Sequence, residues 1–301
     1  MSLVKKSNCD FKDWIQTESI IDYVMERQNK DGGYTFAQWA ESSAQDTYYA
    51  LKILKILGVK PANTNLTIQF LKKLQNVDGS FDSIKVAYYV IESIRELGAS
   101  LENGVEKVIL SAQSAIRRLG NIEVNIEASS ELETAYLSLK TLQSVRHLAG
   151  FDLSSGLILR LKNDDGSFGE GGYSRMASVH FALASLRLLG YGVDELDSTL
   201  SWIRGCEYPS GGFARHPKEF DPYLMLDEIY YGLKALEVLG EVSRYPSENL
   251  TLITKFQNKN GGFRRSIYLG ISDFDTTFYA LSSINMLSMR LRTSIGSVHR
   301  E

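Results

Sequence analysis

The sequence predicts an all-α fold, (α/α)6, in which six helix hairpins close into a ring, with six inner helices surrounded by six outer helices. Two recurring phrases predict it. A glycine turn that ends in an aromatic residue occurs five times, and an aromatic residue followed by small or aliphatic residues occurs six times. Because the two phrases recur together, each copy is expected to be one structural unit.

The six copies have similar lengths. The aromatic phrases start at Tyr49, Tyr89, Tyr136, Phe181, Tyr231 and Tyr279, and their spacings run from 40 to 50 residues by subtraction. The glycine turns are Asp31–Tyr34, Asp78–Phe81, Asp165–Phe168, Ser210–Phe213 and Asn260–Phe263. The third copy has the segment Asn121–Ser130 in place of a turn. The copies cover about residues 20–58, 66–98, 105–148, 154–190, 197–240 and 247–287 of a single domain spanning 1–301.

Each copy is predicted to contain two helices. The first is amphipathic, as in Phe70–Gln75, and the second is apolar on most sides, as in Tyr48–Leu57, which places it inside. Glycine ends a helix readily because it accepts the left-handed conformation, and Gly58 has this place in the first copy. In the last copy the outer helix is predicted to end at Gln257 and the inner helix to begin near Asp275. No β-branched run with a period of two recurs, which argues against strands.

Ring closure is favoured over an open superhelix. An open stack of repeats usually has polar capping repeats at its ends. The last copy is as apolar as the middle ones, so it is expected to pack on the first.

The composition excludes several classes of function. A net charge of −3 without a Lys/Arg run argues against nucleic-acid binding. Cys9 and Cys206 lie far apart, so neither a disulfide framework nor a cysteine-rich zinc site is indicated, and a cytoplasmic setting is expected. Neither a signal peptide nor a transmembrane stretch is predicted.

The mouth of the ring is a predicted anion site. If the inner helices all point the same way, their N-termini meet there with unpaired N–H groups and partial positive charge. The loops that lead into these helices carry cations that would clamp a diphosphate: Arg175, Arg215, His216, Lys218, Arg264 and Arg265.

Acidic residues are expected at the same level: Asp46, Asp227, Glu228, Asp273 and Asp275. Acids in a first helical turn also stabilise the helix, and this explanation is favoured for Asp46. Asp227 and Asp275 occupy matching positions on neighbouring inner helices. They would either bind Mg²⁺ on a diphosphate, or one would stay protonated beside the other and act as an acid.

The wall of the bore is predicted to be aromatic. Six aromatic residues are expected at one level of the bore: Tyr49, Tyr89, Tyr136, Phe181, Tyr231 and Tyr279. Five further residues each directly precede one of these: Tyr48, Tyr88, His180, Tyr230 and Phe278. Such a wall suits a long apolar ligand such as an isoprenoid chain, and ring faces stabilise carbocations. The alternative for each ring is packing between the inner and outer helices.

Over about residues 20–287, the Gln-x-x-Asp-Gly-Gly-Phe turns with their aromatic-Ala-Leu helices resemble the α/α toroid of terpenoid cyclases and protein prenyltransferase β subunits. The resemblance implies an isoprenoid diphosphate ligand and allows a helical partner subunit. The zinc ligands of the prenyltransferases do not carry over. Thr276 takes the histidine position and Glu228 the cysteine position, so no zinc is expected.

The segment Asp273-Phe274-Asp275-Thr276-Thr277 resembles the Asp-x-Asp-Thr-Thr variant of the acid motif of class II terpenoid cyclases. Three functions are therefore open. The first is a prenyltransferase-like enzyme without zinc, which the single-toroid length favours. The second is a class II cyclase with Asp275 as the protonating acid. The third is a non-catalytic toroid that binds a lipid or a protein.

Overall fold

A computed structural model describes residues 14–101, 104–119, 128–148, 155–169, 174–193, 196–219 and 224–298, without the side chains of 128–130 and 290–298. Six outer helices alternate with six inner ones along the chain. The outer helices are α1 (Thr17–Met25), α3 (Thr64–Lys73), α5 (Val105–Leu119), α7 (Gly156–Leu159), α9 (Asp197–Cys206) and α11 (Pro246–Thr254). The inner helices are α2 (Ala44–Leu57), α4 (Ile84–Glu96), α6 (Ala128–Ser144), α8 (Arg175–Leu188), α10 (Leu226–Val238) and α12 (Phe274–Val298).

The inner helices form a closed ring. Each one packs against the next, from α2 through α4, α6, α8 and α10 to α12, and α12 returns to α2. Each outer helix packs against the inner helix that follows it. This arrangement confirms the predicted all-α toroid and its closure.

The outer ring closes through the glycine turns. Gly261 has a φ of +90°, and a Cβ atom built on it would lie 2.2 Å from the carbonyl oxygen of Ser19 in α1. The turn of the last copy therefore lies directly on the first outer helix. A Cβ atom built on Gly166, in the turn of the fourth copy, would likewise lie 2.3 Å from the carbonyl oxygen of Ser198 in α9, the outer helix of the next copy. Since only glycine combines this backbone angle with such close packing, the turns also set the spacing between copies.

The inner helices have defined ends. Ser43, Ser83 and Ser174 precede α2, α4 and α8, and the hydroxyl of each accepts a backbone N–H three residues on, at 2.9–3.2 Å. Gly58 ends α2 in the left-handed conformation, with a φ of +71°, as predicted. The inner helices are buried because apolar side chains cover most of their surface. In α8, for example, ten residues are buried.

Two local predictions need correction. The last outer helix ends at Thr254 and not at Gln257. Gln257 instead forms a β-bridge with Phe263, and its side-chain amide donates to the carbonyl oxygen of Gly261 at 3.0 Å. A short hairpin was also missed: β1 (Phe263–Arg264) pairs antiparallel with β2 (Ser272–Asp273). Two residues are too few for an alternating pattern. Most of the unusual segment Asn121–Ser130 lies outside the described residues.

Candidate active site

A pair of carboxyl groups lies where α12 begins, at the mouth of the bore. The Oδ1 atoms of Asp273 and Asp275 both accept the backbone N–H of Thr276, at 2.7 and 3.1 Å. Because they accept the same N–H, the two carboxyl groups lie side by side. Burial raises the pKa of Asp273 to about 8, and the neighbouring Asp275 adds to the shift. The pair therefore holds one proton at neutral pH.

Asp46 on α2 lies near this pair. Burial raises its pKa to about 6, and the charge of Asp275 adds to the effect, while a hydrogen bond with Ser43 opposes it. Helix stabilisation is the role predicted for Asp46. Its position near Asp275 adds a second effect, because the charge of Asp275 disfavours the ionisation of both Asp46 and Asp273.

A second acidic group lies on α10. Asp227 is 7% exposed and forms an ion pair with Arg265. Burial raises the pKa of Glu228 to about 7, although the Ser174 hydroxyl, which donates to its Oε2 at 2.9 Å, opposes the shift. The predicted Mg²⁺ site needs Asp227 together with Asp275. Among the described residues, no group of three or more His, Cys, Asp and Glu side chains is arranged to hold a metal ion.

The cations expected to clamp a diphosphate have different environments. The Arg264 guanidinium donates to the carbonyl oxygens of Lys255, Ser266 and Ile267 at 2.8–3.1 Å, so it holds the loop before α12. Arg175 lies 3.5 Å from a carboxylate oxygen of Asp165. The remaining three loop cations are exposed: Arg215, His216 and Lys218.

Sequence reasoning missed Lys85 at the mouth. Its Nζ forms an ion pair with Oε2 of Glu133 on α6. Together with Asp46 and Tyr89 it lines a cavity of about 400 Å³. A signal was present in the sequence, because Lys85 stands three residues before Tyr88, as Asp227 and Asp275 stand before Tyr230 and Phe278.

Carboxyl groups at the two ends of the inner ring influence different bore tyrosines. Burial raises the pKa of Tyr49, Tyr89 and Tyr279, and the charge of Asp275 at the mouth contributes. Burial and then neighbouring groups that include Glu92 raise the pKa of Tyr48, Tyr88 and Tyr136. Glu92 belongs to the last two turns of α4, and the phenol oxygens of Tyr48 and Tyr88 lie 3.2 Å apart.

The predicted bore residues contact one another across the inner ring. The phenol oxygen of Tyr279 lies 3.0 Å from that of Tyr231 and 3.3 Å from that of Tyr49, which joins α10, α12 and α2. The ring centroids of Phe181 and Tyr231 are 5.3 Å apart. The aromatic wall therefore packs on itself and narrows the bore.

His180 places an imidazole within the aromatic wall of the bore. It is 4% exposed and lies against the rings of Tyr136, Phe181 and Tyr231, with centroids 5.5–5.9 Å away. Burial lowers its pKa to about 3, so it is neutral, and its Nδ1 has no hydrogen-bond partner.

The positions that would bind zinc in a prenyltransferase do not suit that metal. Thr276 is 4% exposed, and its N–H is bonded to the acid pair. Glu228 is bonded to Ser174. Neither position supplies the thiolate or imidazole that zinc prefers.

Solved structures share this architecture. Protein geranylgeranyltransferase-I from Candida albicans, complexed with GGPP, is 16% identical, with a TM-score of 0.60 over 91% of this chain and 91% of that chain. The type II terpene cyclase MstE from Scytonema, in its apo form, is 12% identical, with a TM-score of 0.59 over 92% and 97%. An MstE variant in complex with geranylgeranyl dihydroxybenzoate is 12% identical, with a TM-score of 0.60 over 90% and 95%. At these identities the likeness establishes the fold.

The fold and the mouth of the ring define an α/α toroid of the kind seen in prenyltransferases and terpene cyclases. A family model covers nearly the whole chain, matching residues 3–86, 82–220 and 223–300. The chain belongs to the prenyltransferase alpha-alpha toroid domain family. A comparison of the sequence with curated proteins finds no match. No helix in the described part of the chain combines the length and the apolarity needed to span a membrane.

Proposed function

We propose that this protein is an isoprenoid-binding enzyme that starts terpenoid cyclisation by protonating its substrate, with Asp273 and Asp275 as the acid pair. The observation that carries the proposal is the meeting of these two carboxyl groups on the backbone N–H of Thr276, where burial raises the pKa of Asp273 to about 8. A carboxylic acid that remains protonated near the working pH is what general acid catalysis requires.

The two carboxyl groups have different roles. Asp275 lies in the first turn of the inner helix α12, three residues before the bore residue Phe278, and is the group assigned to face the chain. Asp273 lies in β2, before the helix begins. In the proposed step, the proton held by the pair passes through Asp275 to a carbon of the terminal double bond. The O–H bond breaks and leaves its electron pair on the carboxylate, while the π electrons form the new C–H bond. Asp273 lies beside Asp275 on the N–H of Thr276 and is a positioning residue.

The bore supports the next stage. Protonation leaves a carbocation, and the faces of tyrosine and phenylalanine rings stabilise positive charge without acting as nucleophiles. Ring closure then needs a water-poor site that holds the chain in a folded shape. The contacts among Tyr49, Tyr231 and Tyr279 mean that a ligand has to turn these rings aside as it enters.

A second candidate is prenyl transfer without zinc, with the diphosphate held at the mouth. It is favoured by the exposed cations of the loop before α10, Arg215, His216 and Lys218, and by Lys85 near the mouth, whose side chain is 43% exposed. The inner helix N-termini would add their partial positive charge. Against it, Arg265 is paired with Asp227 and Lys85 with Glu133.

Incubation with geranylgeranyl diphosphate distinguishes the candidates. The cyclase proposal predicts a cyclised product that retains its diphosphate, together with loss of turnover in Asp275→Asn. Prenyl transfer predicts release of diphosphate instead. Asp197→Asn is a matched control, because Asp197 is also an acid in a first helical turn but lies exposed on the outer helix α9. A ligand that binds and is recovered unchanged, from wild type and Asp275→Asn alike, would contradict both enzymes and favour a non-catalytic toroid.

A further inference from the structure

Three lysines stand at the end of the bore opposite the acid pair. They lie on alternate inner helices: Lys52 on α2, Lys140 on α6 and Lys234 on α10. Each follows a bore tyrosine by four residues, and these tyrosines are Tyr48, Tyr136 and Tyr230. Residues four apart lie on the same helix face. The lysines therefore extend the aromatic face towards the C-terminal ends of the inner helices.

The contacts leave Lys140 short of negative charge. Lys52 lies 3.0 Å from a carboxylate oxygen of Glu96, and Lys234 pairs with Glu237. Lys140 instead donates to the neutral amide oxygen of Gln143 at 2.8 Å. Burial lowers the pKa of Lys140. The charges of Arg95, Lys52 and Lys234 lower it further, although Glu92 opposes them. Several cations therefore act on one half-buried ammonium group.

Helix stabilisation does not explain all of these lysines. Basic residues near a helix C-terminus interact favourably with the helix dipole, but the effect is confined to the last turn. Neither α6 nor α10 carries a basic residue in its last turn. The basic residue in the last turn of α2 is Lys55, not Lys52. Lys52, Lys140 and Lys234 all lie before the last turn of their helices.

A second observation is the unsatisfied imidazole of His180, whose ring centroid lies 5.9 Å from that of Tyr136, the tyrosine four residues before Lys140. Its Nδ1 has no hydrogen-bond partner although the residue is 4% exposed, and the charge of Lys234 acts on the ring. An unpaired buried polar atom costs about 1–3 kcal/mol, so a hydrogen-bonding ligand would relieve a real penalty. The cationic lysines indicate a ligand with anionic oxygens, and the unpartnered nitrogen is available for a hydrogen bond to a group bound beside it.

We propose that Lys52, Lys140 and Lys234 form an anion site at the C-terminal end of the bore, which binds the diphosphate group of an isoprenoid. The compact ammonium group of lysine is well suited to phosphate oxygens. Six residues of α2, about 9 Å of helix rise, separate Asp46 at the mouth from Lys52. A chain with its diphosphate at the lysines would thus point its other end, with the terminal double bond, at Asp275.

This placement rests on the proposed cyclase function and reverses the diphosphate position expected from the loop cations. At the mouth, the Arg264 guanidinium is occupied by backbone carbonyl oxygens. The carboxyl groups of Asp46, Asp273 and Asp275 would also repel a diphosphate there. The acid and the anion site therefore lie at opposite ends of one bore.

Isothermal titration with inorganic pyrophosphate tests the site without requiring turnover. Wild type is expected to bind pyrophosphate at low salt. Lys140→Gln and Lys234→Gln are each expected to weaken that binding at least tenfold, whereas the mouth variants Arg265→Gln and Lys85→Gln should stay within twofold of wild type. Thermal melting of every variant shows whether it is folded, and Lys52→Gln replaces any that is not. Absence of pyrophosphate binding by wild type overturns the proposal, as does a loss confined to the mouth variants.

Geranyl diphosphate tests the orientation of the chain. It is expected to bind more tightly than pyrophosphate, because its hydrocarbon enters the bore, and equal affinity would overturn the placement. Asp275→Asn separates this proposal from the proposed function. The variant should lose cyclisation yet retain pyrophosphate binding. If wild type binds pyrophosphate but does not cyclise geranylgeranyl diphosphate, the proposed cyclase function is contradicted and the anion site is still supported.

Discussion

The phenol oxygen of Tyr279 on α12 lies 3.0 Å from that of Tyr231 on α10, so two neighbouring inner helices are joined inside the bore. The same Tyr279 oxygen lies 3.3 Å from that of Tyr49 on α2. The Tyr230 ring stacks on the Tyr279 ring with centroids 4.3 Å apart. Tyr279 thus connects the last two copies to the first.

Tyr279→Phe is expected to reduce the free energy of unfolding by about 1 kcal/mol for each phenol hydrogen bond that it removes, because the ring remains but its hydroxyl does not. Urea denaturation measures the difference. Tyr268→Phe, at a residue 68% exposed, is the matched control and should change stability by less than about 0.5 kcal/mol. Equal effects of the two variants would show that the phenol hydrogen bonds contribute nothing specific.

The acid pair makes stability dependent on pH. Because the pKa of Asp273 is higher in the folded protein than in the unfolded chain, its contribution is fully present below about pH 4 and is lost as the pH rises towards about 8. Asp273→Asn removes this titration. The free energy of unfolding of the variant, relative to that of wild type, should therefore increase from pH 5 to pH 9. Denaturation experiments at both pH values measure this change. A difference that is the same at both pH values would mean that Asp273 has an ordinary pKa.

The rate of turnover should depend on the proton held by the Asp273–Asp275 pair. If the pair acts as the acid, the turnover of geranylgeranyl diphosphate is expected to fall as the pH rises through about 8. A pH–rate profile of wild type between pH 6 and pH 10 measures this. An activity that rises across that range would point to a base instead of an acid.

Gly261 tests the closure of the outer ring. Gly261→Ala would place a Cβ atom 2.2 Å from the Ser19 carbonyl oxygen at a φ of +90°. Gly58→Ala is a matched control, since Gly58 has a φ of +71° but no atom within 4 Å of the new Cβ. Both variants cost about 1–2 kcal/mol for the backbone angle, and Gly261→Ala about 1–3 kcal/mol more for the clash. Equal losses in a denaturation experiment would mean that the turn of the last copy does not lie on α1.

The ion pair between Arg265 and Asp227 is suited to a double-mutant cycle. Arg265→Gln leaves a carboxylate that is 7% exposed without its guanidinium. The expected cost is about 1–2 kcal/mol, below that of a fully buried pair, because solvent reaches 41% of the Arg265 side chain. Asp227→Asn in the same chain should recover most of this loss. Arg175→Gln, which affects a 3.5 Å contact with the half-exposed Asp165, should cost less than about 0.5 kcal/mol.

The repeat made the fold predictable. The aromatic phrase and the glycine turn recur often enough for the helix count, the inner and outer rings and the closure to follow from the residues alone. Helix ends were less predictable, because the bridge between Gln257 and Phe263 competes with the last turn of α11. That competition depends on how the turn folds back and not on helix propensity.

The site was predictable only where it follows the repeat. The register placed Asp275 and the bore tyrosines, whereas the environment of each charged group depends on neighbouring copies. Arg264 was expected to face a phosphate, yet the loop folds so that its guanidinium meets carbonyl oxygens. The pKa of Asp273 is raised first by burial, to which its neighbour Asp275 adds. Burial depends on tertiary contacts that a single repeat does not show.

The contact between Gly261 and Ser19 has a mechanical consequence. In a linear array of repeats, deletion of one terminal unit removes a single junction and leaves the other units intact. Here every unit has two neighbours, so deletion of any one breaks two junctions and opens the bore to solvent. The six units are therefore expected to unfold together as one cooperative block, without the stepwise fraying that open arrays show.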